Sequence, residues 1–317
     1  MMKLGVSECL LGVACRYDGL SASNDFVVKT LEKYFEFESF CPEKVIFGTP
    51  REAIRQVDRN QSICIETSNS KRDVTAQLAE ISNNMGKEAS IANLCGFIVK
   101  SKSPTCGLER VRVYDGDKKT HEKKGIGLFA KALREHSPYL PIEEEGRLGD
   151  AGIRENFLMQ IFAYEDFSNF MKSKPKIKDL IAFHTSYKYL IYAKSPVSYK
   201  LLGHIVSNPK EKTFEELLEN YRHEFLTAIN EQGNIPKTYN VLLHIYGYFK
   251  KLISAEEKTH LLTAIEEFKE KIIPLVAVTK LLNLYVERFD MQYLKKQKFF
   301  NPYPAKLGLR SQVKAFR

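Results

Sequence analysis

No stretch of this 317-residue chain approaches the roughly 18–20 consecutive apolar residues that a membrane-spanning helix needs. The opening MMKLGVSECLLGVACRYDG is apolar only briefly, because Glu8, Arg16 and Asp18 interrupt it. It also lacks the basic start and long apolar core of a signal peptide. These absences exclude a helical membrane protein and lead us to expect a cytoplasmic one. No CxxC pair occurs, so zinc ribbons and thioredoxin-like motifs have no support. No cysteine follows Cys106; the six (9, 15, 41, 64, 95 and 106) all fall in the first third of the chain. In a reducing cytoplasm such clustering points to metal binding or catalysis rather than to disulfides. There is no convincing internal repeat and no low-complexity tract.

The length gives a prior of about two domains. A hydrophobic content of 44% with 27% charged residues is ordinary for a folded chain. The net charge of +9 is unevenly spread: residues 1–150 carry 22 basic and 22 acidic side chains, and residues 151–317 carry 26 and 17. The final 27 residues hold seven Lys or Arg and no acid, interleaved with Tyr293, Phe299, Phe300, Tyr303 and Phe316. Basic residues among aromatics suit a polyanion with stackable bases. The plainer reading is a solvated basic tail whose aromatics pack on the domain.

The two halves have different grammar. In the first, 4–8, 35–40 (FEFESF), 62–66 (SICIE), 96–100 and 140–144 read as strands. The segments 24–34 and 73–94 read as helices, with Ser23 or Asn24 as the cap of the former. Strands alternating with helices predict an α/β domain with a mostly parallel sheet covered by helices. The second half predicts an all-α domain, with helices over 180–192, 197–206, 213–230, 237–250, 255–268 and 273–285. Breakers such as Ser195-Pro196, Asn208-Pro209 and Gly233-Asn234 separate several of them. The segment 172–179 (KSKPKIKD) reads as a linker, giving expected domains of 1–160 and 175–317.

Context sorts the cysteines. Cys9 follows a strand. Cys41 follows FEFESF in Cys41-Pro42-Glu43. Cys106 follows another strand in Ser103-Pro104-Thr105-Cys106-Gly107. All three therefore sit at or beyond carboxyl ends of strands, the edge where open α/β sheets bind ligands. Three thiolates meeting there match an iron–sulfur cluster with one iron open, the mark of a catalytic rather than a structural site. Cys64, inside a strand, and Cys95, ending an apolar helix, read as packing. Cys15, beside Arg16 in a loop, is open between a fourth ligand and a nearby thiol.

ECLLG followed by CRYDG (8–19), Cys41-Pro42-Glu43, GTPR (48–51) and KSKSPTCG (100–107) together resemble the thiouracil desulfidase family over roughly residues 1–160. RLGDAGIRENF (147–157), FHTSYKYLIYAKSPVSYKLLG (182–203) and NPYPAKL (301–307) resemble the YbgA-like helical domain. That family's FHxxHK pattern is FHTSYK here, with Tyr187 in place of the second His, which leaves His184 a structural reading. The resemblance implies a 4Fe–4S cluster held by Cys9, Cys41 and Cys106, whose open iron accepts the sulfur of 4-thiouridine in tRNA. The conversion of C=S to C=O is hydrolytic. Glu43 is the expected general base, with Ser103 and, more weakly, Ser101 as proton relays or substrate contacts. Arg16, Tyr17 and Asp18 flank the first ligand loop and are candidate substrate contacts, although Asp18-Gly19 is also an ordinary turn signal. Two other readings stand beside this one. The first is a desulfidase of free thiouracil or thionucleosides whose helical half serves oligomerisation. The second is a non-enzymatic iron–sulfur redox sensor or nucleic-acid-binding protein.

Overall fold

The computed structural model describes residues 1–116, 118, 120–208 and 213–307, except the side chain of Lys306. Pro209 of one expected breaker lies outside these residues, as do Arg310, Lys314, Phe316 and Arg317 of the basic tail. The chain divides into two compact units, Met1–Phe157 and Leu158–Arg317.

The first unit is built on a parallel sheet of β1 (Met2–Ser7), β2 (Phe35–Phe40), β5 (Leu94–Val99) and β8 (Ile142–Glu144), in the order β2-β1-β5-β8. All six residues of β5 are buried. That continuous apolar run is what a strand covered on both faces requires. The rings of Phe40, Phe97 and Phe129 meet at 5.4–5.9 Å and fill the space beside it. Helices α1 (Pro42–Phe47), α2 (Thr75–Ile91) and α3 (Leu128–His136) belong to this unit. The expected α/β architecture is therefore present.

Two features differ from expectation. The helix expected over 24–34 is a π turn (Phe26–Thr30) running into a 3-10 turn (Leu31–Lys33), with Asn24 Oδ1 accepting the Val27 N–H at 3.2 Å. A second four-stranded sheet is also present, of β3 (Ile54–Arg59), β4 (Ser62–Thr67), β6 (Val111–Asp115) and β7 (His121–Gly125), ordered β4-β3-β6-β7. Only β4 was legible. β6 alternates buried Val111 and Val113 with Arg112 and Tyr114, β3 buries Gln56 beside Val57 among charged residues, and β7 is HEKKG, exposed except at Gly125.

The second unit is helical: α5 (Ile177–Lys194), α6 (Pro196–Ser207), α7 (Phe214–Asn230), α8 (Ile235–Phe249), α9 (Ala255–Lys269), α10 (Leu275–Arg288) and α11 (Gln292–Lys295). The division between units lies within the preceding α4 (Ala151–Lys172), and of the KSKPKIKD segment only residues 173–176 form the α4–α5 turn, the rest belonging to the two helices. Caps fix several starts: Thr213 and Ser254 each form a capping box with Glu216 and Glu257, and Ser195 caps α6 ahead of Pro196. The His184 ring packs against Tyr221 and lies 3.3 Å from its hydroxyl, while Tyr187 donates to Asp166 at 2.6 Å. This supports the structural reading of His184.

The tail's aromatics follow the plainer of the two expectations. Phe299, Phe300 and Tyr303 are buried in the unit, and Tyr293 stacks on Tyr248 at 5.8 Å. Lys295 pairs with Glu287 and Asp290, and Lys298 with Asp166. No helix among the described residues is long and apolar enough to cross a membrane.

Candidate active site

Each strand of the parallel sheet ends on one edge and hands the chain to a segment bearing a reactive side chain. After β1 a 3-10 turn, Glu8–Leu11, carries Cys9. Gly12 closes it with φ 89°, a left-handed conformation in which glycine is unstrained. After β2 comes Cys41, immediately before Pro42 at the first position of α1. After β5 come Lys100 and Ser101 and then the loop to Cys106; after β8 comes Glu145. The chain runs from β1 to β2 on one side, while β5 lies on the other, so the winding reverses beside β1. That switch point is where a parallel sheet leaves a crevice. A cavity of about 230 Å³ opens there, and Cys9, Cys15, Cys41, Glu43, Arg51 and Cys106 are among the residues lining it.

The Cys106 loop is held from two directions. Ser103 Oγ accepts the backbone N–H groups of Thr105 and Cys106, both at 3.1 Å. The Thr105 carbonyl accepts the N–H groups of Phe129 and Ala130 in the first turn of α3, at 2.9 and 3.3 Å. Gly127 caps α3 so closely that a Cβ there would overlap the Thr105 carbonyl. A residue 21 positions away in the sequence thus fixes where Cys106 sits.

Glu43 is brought to the same cavity and is saturated on one side. Its Oε2 takes 2.7 Å from Arg51 Nη2, and its Oε1 accepts from Ser103 Oγ at 3.4 Å. Arg51 Nη1 also donates to the carbonyls of Cys15 (2.8 Å) and Gly48 (3.0 Å). The Arg51 side chain is only 5% exposed. The Ser103 hydroxyl therefore bridges the Glu43 carboxylate and the Cys106 loop, and it also hydrogen-bonds the Cys106 side chain. Ser101 is placed differently. Its N–H and hydroxyl donate to Glu145 at 2.6 and 2.8 Å, beside the Lys100–Glu145 ion pair. Arg16 and Tyr17 line the cavity mouth, while Asp18 accepts the Leu20 N–H in its turn.

The thiols are crowded. Glu8, Cys15 and Cys41 each offer a ligand atom, all within 4.8 Å of one another. Cys15 also hydrogen-bonds Cys9. Cys9 and Cys106 complete the sulfur lining of the cavity. Cys64 hangs from β4 against the Val57 carbonyl, and Cys95 is fully buried in β5. The hydrogen bond from Cys15, then burial, pushes the Cys41 thiol up. Burial, then the Glu43 charge, pushes Cys106 up. For Cys15 the Cys41 hydrogen bond acts downward, but the Cys9 hydrogen bond, burial and the nearby negative charges outweigh it and push the thiol up to about 12. Thiols this close cannot shed their protons together unless a cation compensates. Soft sulfur donors around a partly open cavity, with no His among its lining residues, fit an iron–sulfur group. Cys9, Cys41 and Cys106 each come from a different strand end. Cys15 is the additional thiol that the sequence left open.

Sequence reasoning quoted GTPR as a motif but assigned Arg51 no task. It also missed Lys100, Glu145 and Gly127. The signal available for Arg51 was its place at the end of the GTPR motif, eight residues after Glu43.

Residues 4–145 match the family model described as 2-thiouracil desulfurase. Residues 188–304 match the one described as protein of unknown function DUF1722. The uncharacterized protein YbbK of Bacillus subtilis (strain 168) is 30% identical over 137 residues, which are 41% of this chain and 88% of YbbK. The uncharacterized protein YbgA of Escherichia coli (strain K12) is 24% identical over 157 residues, 49% of this chain and 93% of YbgA. Among solved structures, the 4Fe–4S-dependent thiouracil desulfidase TudS is 28% identical and overlaps 47% of this chain and 94% of its own, with a TM-score of 0.38.

Proposed function

The chain belongs to the 2-thiouracil desulfurase family, and from that premise we propose that it removes the sulfur of 4-thiouridine in tRNA, leaving uridine. The observation that carries this reading is the convergence of Cys9, Cys41 and Cys106 with the Glu43–Arg51 pair on one cavity at the sheet's switch point.

Cys9, Cys41 and Cys106 are the residues that would hold a 4Fe–4S cluster. Bound there, the cluster would supply thiophilic Lewis-acid chemistry toward the exocyclic sulfur and its carbon. The remaining steps belong to the chain. Arg51 fixes Glu43 Oε2, so Oε1 keeps a lone pair toward the cavity. Glu43 Oε1 takes a proton from the water that attacks the ring carbon. The Ser103 hydroxyl, already bonded to that oxygen, holds the carboxylate in line and provides a route for the proton. Ser101, tied to Glu145, lines the same cavity beside Lys100 and is suited to holding a ring edge. Water and thione become carbonyl and sulfide, with no net change of oxidation state.

The tRNA half of the proposal rests on charge: all of the net +9 lies in residues 151–317. Neutralising phosphates releases counterions, so binding should weaken steeply with salt. A base held within folded tRNA must also leave its stack to reach the cavity. A second reading, turnover of free thiouracil, is favoured by the family's description and needs only the first unit. Anaerobic incubation of the full chain with thiolated tRNA and with free 4-thiouracil, following loss of the thione absorbance, separates the two. Turnover of tRNA at low concentration supports the first. Turnover of the free base alone, without salt-dependent tRNA binding, leaves only the second. No turnover of either overturns both.

A further inference from the structure

The first unit sums to zero charge, but its charges are segregated. In a strand, alternate residues face the same side. The register Arg55↔Glu66 and Arg59↔Ser62 (β3–β4), Val57↔Tyr114 (β3–β6), and Tyr114↔His121 and Arg112↔Lys123 (β6–β7) puts all of these on one face of the second sheet. The opposite face holds Gln56, Ile65, Val111 and Val113, all buried. The outward face therefore carries Arg55, Arg59, Arg112 and Lys123 against two carboxylates: Glu66, which is 2% exposed, and the exposed Asp73, which bridges to Glu66 from the adjoining turn and faces Arg59. Lys71 Nζ reaches the Glu66 carboxylate at 3.8 Å from the same turn.

Glu66 does not neutralise this face; it organises it. Its Oε1 accepts Arg55 Nε and Nη2 at 3.0 and 2.7 Å, and its Oε2 accepts Arg59 Nη2 at 2.7 Å. The Arg55 guanidinium then lies 5.0 Å from the Tyr114 ring centre, and Tyr114 lies 5.3 Å from the His121 ring. Arg112 and Lys123, both exposed, are direct cross-strand neighbours of like charge. Such a pairing destabilises a sheet unless an anion lies over it.

We infer that this face is an RNA-binding surface. Arg59, Arg112 and Lys123 take phosphates, and an unstacked base lies against Tyr114 and His121. Guanidinium groups held by Glu66, beside the half-buried Tyr114 ring and the exposed His121 ring on adjacent strands, are chemistry that suits single-stranded RNA segments. Among the tail's described aromatics, Phe299, Phe300 and Tyr303 are buried in the second unit and Tyr293 stacks on Tyr248, so they do not supply that stacking. The inference rests on the tRNA reading above and places an RNA contact in the catalytic unit as well as the helical one.

The test uses the full-length protein and a 4-thiouridine-containing tRNA. The triple variant Arg59→Gln/Arg112→Gln/Lys123→Gln is titrated by fluorescence anisotropy between 50 and 200 mM salt, values chosen to span the range where phosphate contacts dominate. Three lost phosphate contacts reduce the slope of log K against log salt by roughly 2–3 and weaken binding at least ~10-fold. Turnover of free 4-thiouracil is unchanged, since none of the three touches the cavity. Tyr114→Leu weakens binding about 10-fold while leaving the salt slope unchanged. Wild-type affinity and slope in the triple variant overturn the inference and leave the proposed reaction standing. A parallel loss of free-base turnover also overturns it, because the face would then serve folding. Failure of the wild type to bind tRNA at all removes both the inference and the tRNA reading, while free-base turnover still reports on the cavity.

Discussion

Replacing Arg51 by Met probes how the cavity is held together. The Arg51 and Glu43 side chains are 5% and 15% exposed, and Arg51 also satisfies the Cys15 and Gly48 carbonyls. Removing one partner of a buried pair costs ~3–5 kcal/mol. Glu43 borders the cavity and regains some water, so the lower end, about 3 kcal/mol, applies. The carbonyl of the buried Cys15 adds about 1 kcal/mol for its lost donor. The Gly48 carbonyl is exposed and is rehydrated. Arg51→Met should thus destabilise the first unit by about 4 kcal/mol. Glu43→Gln leaves an amide oxygen for Arg51 and should cost less. In the double variant the stranded charge is gone, so the cycle should show about 2 kcal/mol of coupling. A global melt of a two-unit chain is not two-state, so the assay is hydrogen exchange of the β1 and β5 amides in the cluster-free, reduced protein. A loss below 1 kcal/mol in Arg51→Met, or strict additivity in the double variant, would refute the role assigned to Arg51.

Three further outcomes follow from the same geometry. Glu43→Gln should retain the iron–sulfur chromophore and lower turnover roughly 10²–10⁴-fold, read by thione absorbance in a reconstituted sample. Gly127→Ala touches no ligand, yet by displacing the Thr105–Cys106 backbone it should lower iron retention under a chelator challenge; retention equal to wild type would contradict the packing argument. His184 is pulled down to about 4, first by burial and then by the Lys188 charge. Its folded value lies below the unfolded one, so the unfolded chain binds the proton first. Stability of the second unit is then full above pH ~6.5 and falls by about 3 kcal/mol as the pH drops toward ~4. Denaturant unfolding across that range checks this, and His184→Gln should flatten the acid limb.

The sequence made much of this fold legible, and its omissions have physical causes. β1, β2 and β5 announce themselves because their buried residues are mostly apolar, and β4 and β8 are legible from Ile63, Ile65 and Ile142 although they bury Glu66 and Glu144. β3 hides because its buried inward position is Gln56, which donates to the Pro104 and Ile126 carbonyls at 3.0 and 2.8 Å. β7 hides because nearly every residue is exposed and charged or polar. Strand ends and short motifs located Cys9, Cys41, Cys106 and Glu43. Arg51 acts only once the chain folds back across the Gly48–Arg51 turn, and Gly127 acts only through α3 packing on a loop distant in sequence. Neither relation has a periodic signature. The charge count likewise saw a neutral first half, because summation erases the sorting of charge onto one face of a sheet.

The central claim is that the thiol cavity holds an iron–sulfur cluster at which sulfur is removed. The most direct measurement is iron and acid-labile sulfide per chain after anaerobic reconstitution, on the wild type and on Cys9→Ala, Cys41→Ala, Cys106→Ala and Cys64→Ala. The account predicts roughly four of each per chain in the wild type and in Cys64→Ala, with cluster absorbance and thione turnover. It predicts loss of both in the other three. A wild-type protein that stays colourless and iron-free would contradict it, as would full cluster content in Cys9→Ala, Cys41→Ala or Cys106→Ala.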